Sequence, residues 1–139
     1  MNIKLRNAEK KDWDLILELR NEFYSFFYKQ ERPISKSEHY EYMEKQQSNP
    51  KFHQWMIEYE NQTIGYVRIL ENDIGVIVKK EFQNKGIASE AVKLAEEKAR
   101  NLGITKLIAL VKMENEGSKK IFLKNKYELK MYWLEKNIL

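Results

Sequence analysis

The stretch "EFQNKGIASEA", residues 81 to 91, decides how this chain is read. An apolar run, residues 74–78, precedes it, and a long segment rich in Ala, Glu and Lys follows. Apolar strand, short turn, strong helix formers: that order places Gly86, one of only five glycines, at a helix start. Backbone N–H groups there lack intrahelical partners and lie at the positive end of the helix dipole, so the turn is a candidate anion site. Lys85 adds charge, Gln83 offers side-chain amide hydrogens, and Gly86 and Ala88 are small enough for phosphates to reach the backbone. An ordinary helix start, with Gly86 merely relieving a tight turn, accounts for the same residues, and locally both readings stay open. The phosphate loops G-x-x-x-x-G-K-[ST] and G-x-G-x-x-G are absent.

Outward from this point, hydrophobic periodicity lays out the remaining elements. Residues 3–6 alternate like a short strand, and from Asp12 the residues Trp13, Ile16, Leu17, Leu19 and Phe23 recur at helical spacing. The aromatic run "FYSFFY" ends at "ERPIS", where Pro33 stops any helix. Ser35 and Glu38 have the form of a capping box, so a second helix is expected to about Gln47, closed by Asn49-Pro50. Strands are expected over residues 54–59 and 63–70, joined by a hairpin, and over 73–79. After the quoted turn, Ala88, Ala91, Ala95, Ala99 and Leu102 share a helix face that ends at Gly103. The nearly continuous apolar run 106–111 predicts a buried central strand, 115–124 a helix, and 127–134 a final strand. The order β-α-α-β-β-β-α-β-α-β predicts an α/β fold, a mixed central sheet flanked by helices, in a single domain spanning residues 1–139.

Composition narrows the function classes. Apolar residues are 42% and charged residues 33% of the 139, ordinary for a globular protein. The net charge of +4 is scattered among Glu and Asp, which argues for a solvated surface rather than a nucleic-acid footprint and suits an anionic small ligand. Absent cysteines exclude disulfides and thiolate metal sites; with His39 and His53 the only histidines, no metal is expected. The first residues lack the apolar core of a signal peptide, and no apolar run approaches the roughly 20 residues that span a bilayer. A cytoplasmic protein without a membrane partner is expected, as monomer or homodimer.

The stretch "VIVKKEFQNKGIASEA" resembles motif A of the GNAT superfamily of acyl-CoA-dependent N-acyltransferases, V-x-P-x-x-[RQ]-x-x-G-x-[GA], through Val78, Gln83, Gly86 and Ala88. Lys80 stands where the proline is usual, and Asn84 where glycine is frequent. "NEGSKKIFLKNKYEL" resembles motif B through Asn115, Ser118, Ile121, Lys124 and Tyr127. The helix and strand between the two motifs are also the family's order. The resemblance implies acetyl-CoA as acetyl donor. Amides after Gln83, with Asn84, Lys85, Gly86, Ile87 and Ala88, would hold its pyrophosphate. The edge of Val76, Ile77 and Val78 would pair with the pantetheine arm, which Asn115 would steady; Phe122 would lie near the thioester. A backbone N–H near Val78 would polarise the thioester carbonyl for attack by a neutral amine.

Departures from the pattern bear on catalysis and acceptor. The tyrosine that many members use to protonate the departing sulfur falls on Phe122, which has no proton to give and reads first as a core aromatic. Ser118, Tyr132 and Tyr24 are the substitute hydroxyls, unless solvent serves or the thiolate leaves unassisted. The glutamate base of many peptide N-terminal acetyltransferases falls on Leu110. "LRNEF" with "ISKSEHYEYM" is similar to a segment of acetyltransferases acting on nucleotide-linked amino sugars, such as that of pseudaminic acid biosynthesis. Arg20, Asn21, Ile34, Ser35, His39 and Tyr42 match. Arg20, Asn21, Tyr24, His39 and Tyr42 are therefore candidate acceptor contacts, and His39 a candidate base, although a partly buried structural histidine explains it as readily. The expected activity is acetyl transfer to a primary amine, by preference on a nucleotide-linked 4-amino sugar. Peptide N-terminal acetylation and a non-catalytic CoA-binding module are the alternatives.

Overall fold

Strands β2 (Phe52–Tyr59) and β3 (Gln62–Leu70) form a hairpin whose two-residue turn, Glu60-Asn61, has both residues at positive φ. That mirror-image turn matches the twist of paired strands. The computed structural model describes residues 1–139. β1 (Ile3–Asn7) pairs with the outer side of β2, and β4 (Asp73–Val78) with β3, giving a sheet ordered β1-β2-β3-β4, antiparallel throughout.

Alternation along the strands gives each sheet face its own core. On one face Trp55, Ile57, Val67, Ile69, Ile74 and Val78 meet Ile87, Ala91, Val92, Ala95 and Ala99 of α3 (Ile87–Asn101), joined by Phe122 of α4 (Glu116–Lys124). The alanine stripe lets the helix lie close to the sheet. On the other face Met56, Tyr66 and Ile77 meet Trp13, Ile16 and Leu19 of α1 (Trp13–Glu22) and Met43 of α2 (Lys36–Gln47). Ser35 caps α2, its hydroxyl accepting from the Glu38 N–H at 3.2 Å. Gly65 allows a close approach of β3 and β4: a Cβ there would sit 2.1 Å from the Ile77 carbonyl oxygen.

Two expected strands do not form. Of residues 106–111, only Ile108 bridges to the sheet, in parallel with Asp73. The Ile74 N–H donates to Ile108 O at 2.9 Å, and the Ile108 N–H to Asn72 O at 2.7 Å. Beyond that bridge the segment leaves β4, so Ile108 and Leu110 are 39% and 41% exposed instead of buried at the sheet centre. Residues 127–134, expected as a final strand, lie outside any ladder, and all but the half-buried Tyr127 are exposed. A strand is defined by its partner, and the departing 106–111 segment offers none. The parallel component of the expected mixed sheet is thus confined to one bridge. No helix is long and apolar enough to cross a membrane.

Candidate active site

The turn between β4 and α3 is shaped by residues in unusual backbone conformations. Asn84 and Gly86 both take positive φ, at 60° and 81°, and Gly86 is the N-cap of α3. The Gln83 side chain folds back and donates to Val78 O at 2.9 Å. The first helical bond of α3 runs from the Glu90 N–H to Gly86 O at 3.1 Å, so the N–H groups from Asn84 through Ser89 have no backbone acceptor. Consecutive free amides around left-handed residues form a concave donor nest, and this one sits on a helix start. Gln83, Asn84, Lys85 and Gly86 are exposed, Ala88 half-buried and Ile87 buried in the core beneath.

β4 leads into this nest along an open edge. Because the Ile74 N–H points away from β3 to Ile108, antiparallel alternation turns the N–H groups of Val76 and Val78 the same way. The chain leaves that edge after Ile108, so beyond the bridge those groups face a gap. An extended amide-containing chain can pair there, with an anion seated in the nest at the end of the strand.

A cleft of about 190 Å³ opens on the sheet face under α1 and α2. Its floor is a grid set by strand register. Gln54, Arg68 and Gly75 lie in one row, Tyr66 beside Ile77 in the next, and Phe52, Leu70 and Asp73 in the third. Gly75 leaves room for Arg68, whose Nη2 would be 3.2 Å from a Cβ there. Arg68 pairs with Asp73 at 3.5 Å. Arg20 from α1, Tyr42 from α2 and Phe27, Tyr28, Lys29 and Gln30 from the connecting segment complete the walls, with Leu110 at the β4 edge. Three cations therefore face one carboxylate. Burial pushes the Tyr66 phenol up to about 12, so it stays protonated.

Of the residues singled out in the sequence, Arg20 and Tyr42 meet in this cleft, the guanidinium lying 5.1 Å from the ring centroid. Val76 and Ile77 line it as well. His39 does not, contrary to expectation. It is fully buried, with Nε2 2.8 Å from Trp13 O and Nδ1 3.2 Å from Arg20 Nη1. A carbonyl can only accept and a guanidinium only donate, so the proton is on Nε2 and the neutral ring has no nitrogen left to act as a base. Burial first, then Arg20, lowers its pKa.

Asn21 is likewise occupied, gripping the chain after the aromatic run. Its Oδ1 accepts from the Ile34 N–H at 2.9 Å and from Gln30 Nε2 at 3.2 Å, and its Nδ2 donates to Ile34 O at 2.9 Å. Tyr24 lies in a short 3-10 turn outside the cleft lining. Asn115 caps α4, accepting from the Ser118 N–H at 3.2 Å and donating to Ser118 Oγ at 3.0 Å, so the two hold each other at the helix start. Phe122 packs in the core edge-on to Tyr127, ring centroids 5.0 Å apart. Tyr132 is 83% exposed on the C-terminal segment and does not line the cleft.

Sequence reading missed Gln30, Gln54, Tyr66, Arg68, Asp73 and Gly75. One signal was present: in "FHQWMI" and "YVRIL", Gln54 and Arg68 occupy alternation positions that otherwise carry apolar residues.

An amide nest at a helix start, an open strand edge running into it and a cleft across that same strand make an α/β protein equipped for acyl transfer from a phosphate-bearing carrier. The family comparison gives the same class: residues 2–128 match the acetyltransferase (GNAT) domain, and the chain belongs to that family of N-acetyltransferases. No curated protein matches the sequence. Among solved structures, a domain from Methanocaldococcus jannaschii shares 25% identity at a TM-score of 0.80, over 91% of this chain and 88% of that one. Spermidine N-acetyltransferase from Vibrio cholerae, solved with CoA and spermine, shares 22% at 0.76, over 88% and 78%. A predicted acetyltransferase from Clostridium acetobutylicum, solved with acetyl-CoA, shares 18% at 0.73, over 99% and 97%.

Proposed function

We propose that the protein transfers acetyl from acetyl-CoA to the amine of a nucleotide-linked 4-amino sugar. The carrying observation is that β4 serves both halves of the site: its open edge leads to the amide nest, and its residues 73–77 floor the cleft. The nest from Asn84 to Ser89 would hold the pyrophosphate of acetyl-CoA, with Lys85 adding charge, and the Val76 and Val78 N–H groups would hold the extended arm. Bound there, acetyl-CoA supplies an activated acyl group: the amine nitrogen forms the C–N bond as the C–S bond breaks, and the proton lost by the amine balances the thiolate that leaves.

Acceptor class follows from charge. Arg20, Lys29 and Arg68 against Asp73 make a net positive cleft walled by Phe27, Tyr28, Tyr42 and Phe52. Such a site favours an anionic molecule with flat or ring-shaped parts and repels a polyamine, even though one structural relative was solved with spermine. A phenol with pKa about 12 does not readily protonate a thiolate whose thiol has a pKa near 8.5, so Tyr66 serves as a hydrogen-bond donor and the thiolate leaves unassisted. His39 acts through Arg20, which it fixes in the cleft, and Asn21 acts through the segment it anchors.

Initial rates of CoA release test this, with a nucleoside-diphosphate 4-amino sugar, spermidine and an N-terminal peptide as acceptors. The amino-sugar nucleotide is expected to give the highest kcat/KM. A faster peptide or polyamine contradicts the proposal, and acetyl-CoA binding without turnover of any amine would make the chain a CoA-binding module.

A further inference from the structure

Two glutamines that line the cleft each keep an amide oxygen without a partner. Gln30 and Gln54 both line it, are only 8% and 9% exposed, and keep Oε1 enclosed without a hydrogen bond. Folded proteins rarely leave a buried carbonyl unpaired, because its lost hydration is not replaced. The Gln30 amide is oriented by its neighbours: Nε2 donates to Asn21 Oδ1 at 3.2 Å and to Arg32 O at 3.1 Å. Turning it over would set an oxygen against two oxygens, so the free atom is the acceptor. Gln54 lies mid-strand between Phe52 and Met56 on the same face, beside Arg68, where an apolar side chain would pack without an unmet hydrogen bond.

We propose that Gln30 and Gln54 are specificity contacts, each accepting a hydrogen bond from an O–H or N–H of the acceptor. The cleft then reads two features at once. Its cations attract the anionic part of the molecule, while its two amide oxygens demand hydrogen-bond donors on the part that enters deepest. A ring bearing hydroxyl and amino groups meets both demands; an amine on an otherwise apolar molecule has no donor beyond its reacting nitrogen to offer them. This rests on the cleft being the acceptor site, as proposed above, and names what selects within it.

The test is Gln54→Leu, which removes the orphan acceptor and keeps the volume. Its thermal midpoint is expected at or above that of wild type, since nothing in the folded chain uses the oxygen. Affinity for acetyl-CoA stays unchanged, while kcat/KM for the best acceptor falls about tenfold or more, the cost of a site losing a hydrogen bond it was built to make. Wild-type acceptor kinetics in a stable Gln54→Leu would overturn the proposal. So would a variant that fails to fold or loses acetyl-CoA affinity in parallel, because Gln54 would then be structural. If wild type prefers a peptide or polyamine, the amino-sugar assignment falls by itself, and the Gln54→Leu comparison on that acceptor still decides the role of the amide.

Discussion

His39 occupies the interior with both ring nitrogens bound, one donating to Trp13 O and the other accepting from Arg20. Burial, aided by Arg20, lowers its pKa from the ordinary 6.5. The unfolded chain therefore takes up this proton at a higher pH than the folded chain does. Stability from this residue is complete above about pH 6.5 and declines as pH falls from there toward the folded pKa. His39→Gln cannot titrate, so its thermal midpoint is expected to fall less than that of wild type between pH 7 and 5. Parallel pH profiles in melting experiments would refute the assignment. Acceptor KM should rise more than acetyl-CoA KM in His39→Gln, because Arg20 loses its support. The sequence made both His39 and Tyr42 candidate acceptor contacts. Residues three apart differ by about 60° around a helix, enough here to send Tyr42 to the cleft and His39 inward. Gln30 was invisible for another reason: its place depends on Asn21 holding the chain on the far side of the aromatic run.

At the scale of elements, helices and hairpins were legible because their causes are local. The strand expected over residues 63–70 is Gln62–Leu70, and the second helix, expected from Ser35 to about Gln47, is Lys36–Gln47 with Ser35 as its cap. The two segments that flank α4 were not legible in the same way. The nearly continuous apolar run 106–111 and the apolar residues of 127–134 mark strand-like sequence, but a ladder needs an adjacent strand, and β4 keeps contact only as far as Ile108. Pairing of β3 with β4 is itself tuned at Gly65, where Ile77 O lies so close that any Cβ collides. Gly65→Ala is expected to lose at least about 2 kcal/mol, since the two backbones must separate. Urea denaturation would register this as a lower midpoint at unchanged m-value. A wild-type midpoint would mean that the strands tolerate the added methyl group and that their approach is looser than described.

The whole molecule divides its labour across one strand. α3 and its alanine stripe hold the amide nest against one face of the sheet, while α1 and α2 roof the cleft proposed for the acceptor on the other. β4, at the sheet edge, belongs to both. Motif A was readable in sequence because nest, helix start and strand are consecutive; the cleft was not, because it assembles residues from β2, β3, β4, α1 and α2. Amide hydrogen exchange, followed residue by residue with and without saturating acetyl-CoA, tests this division most directly. The N–H groups of Val76 and Val78 and those from Asn84 through Ser89 are predicted to gain protection together, while cleft-wall amides in residues 27–30 stay unchanged. Unaltered exchange at the β4 edge and the nest, with protection appearing in the cleft walls instead, would contradict it.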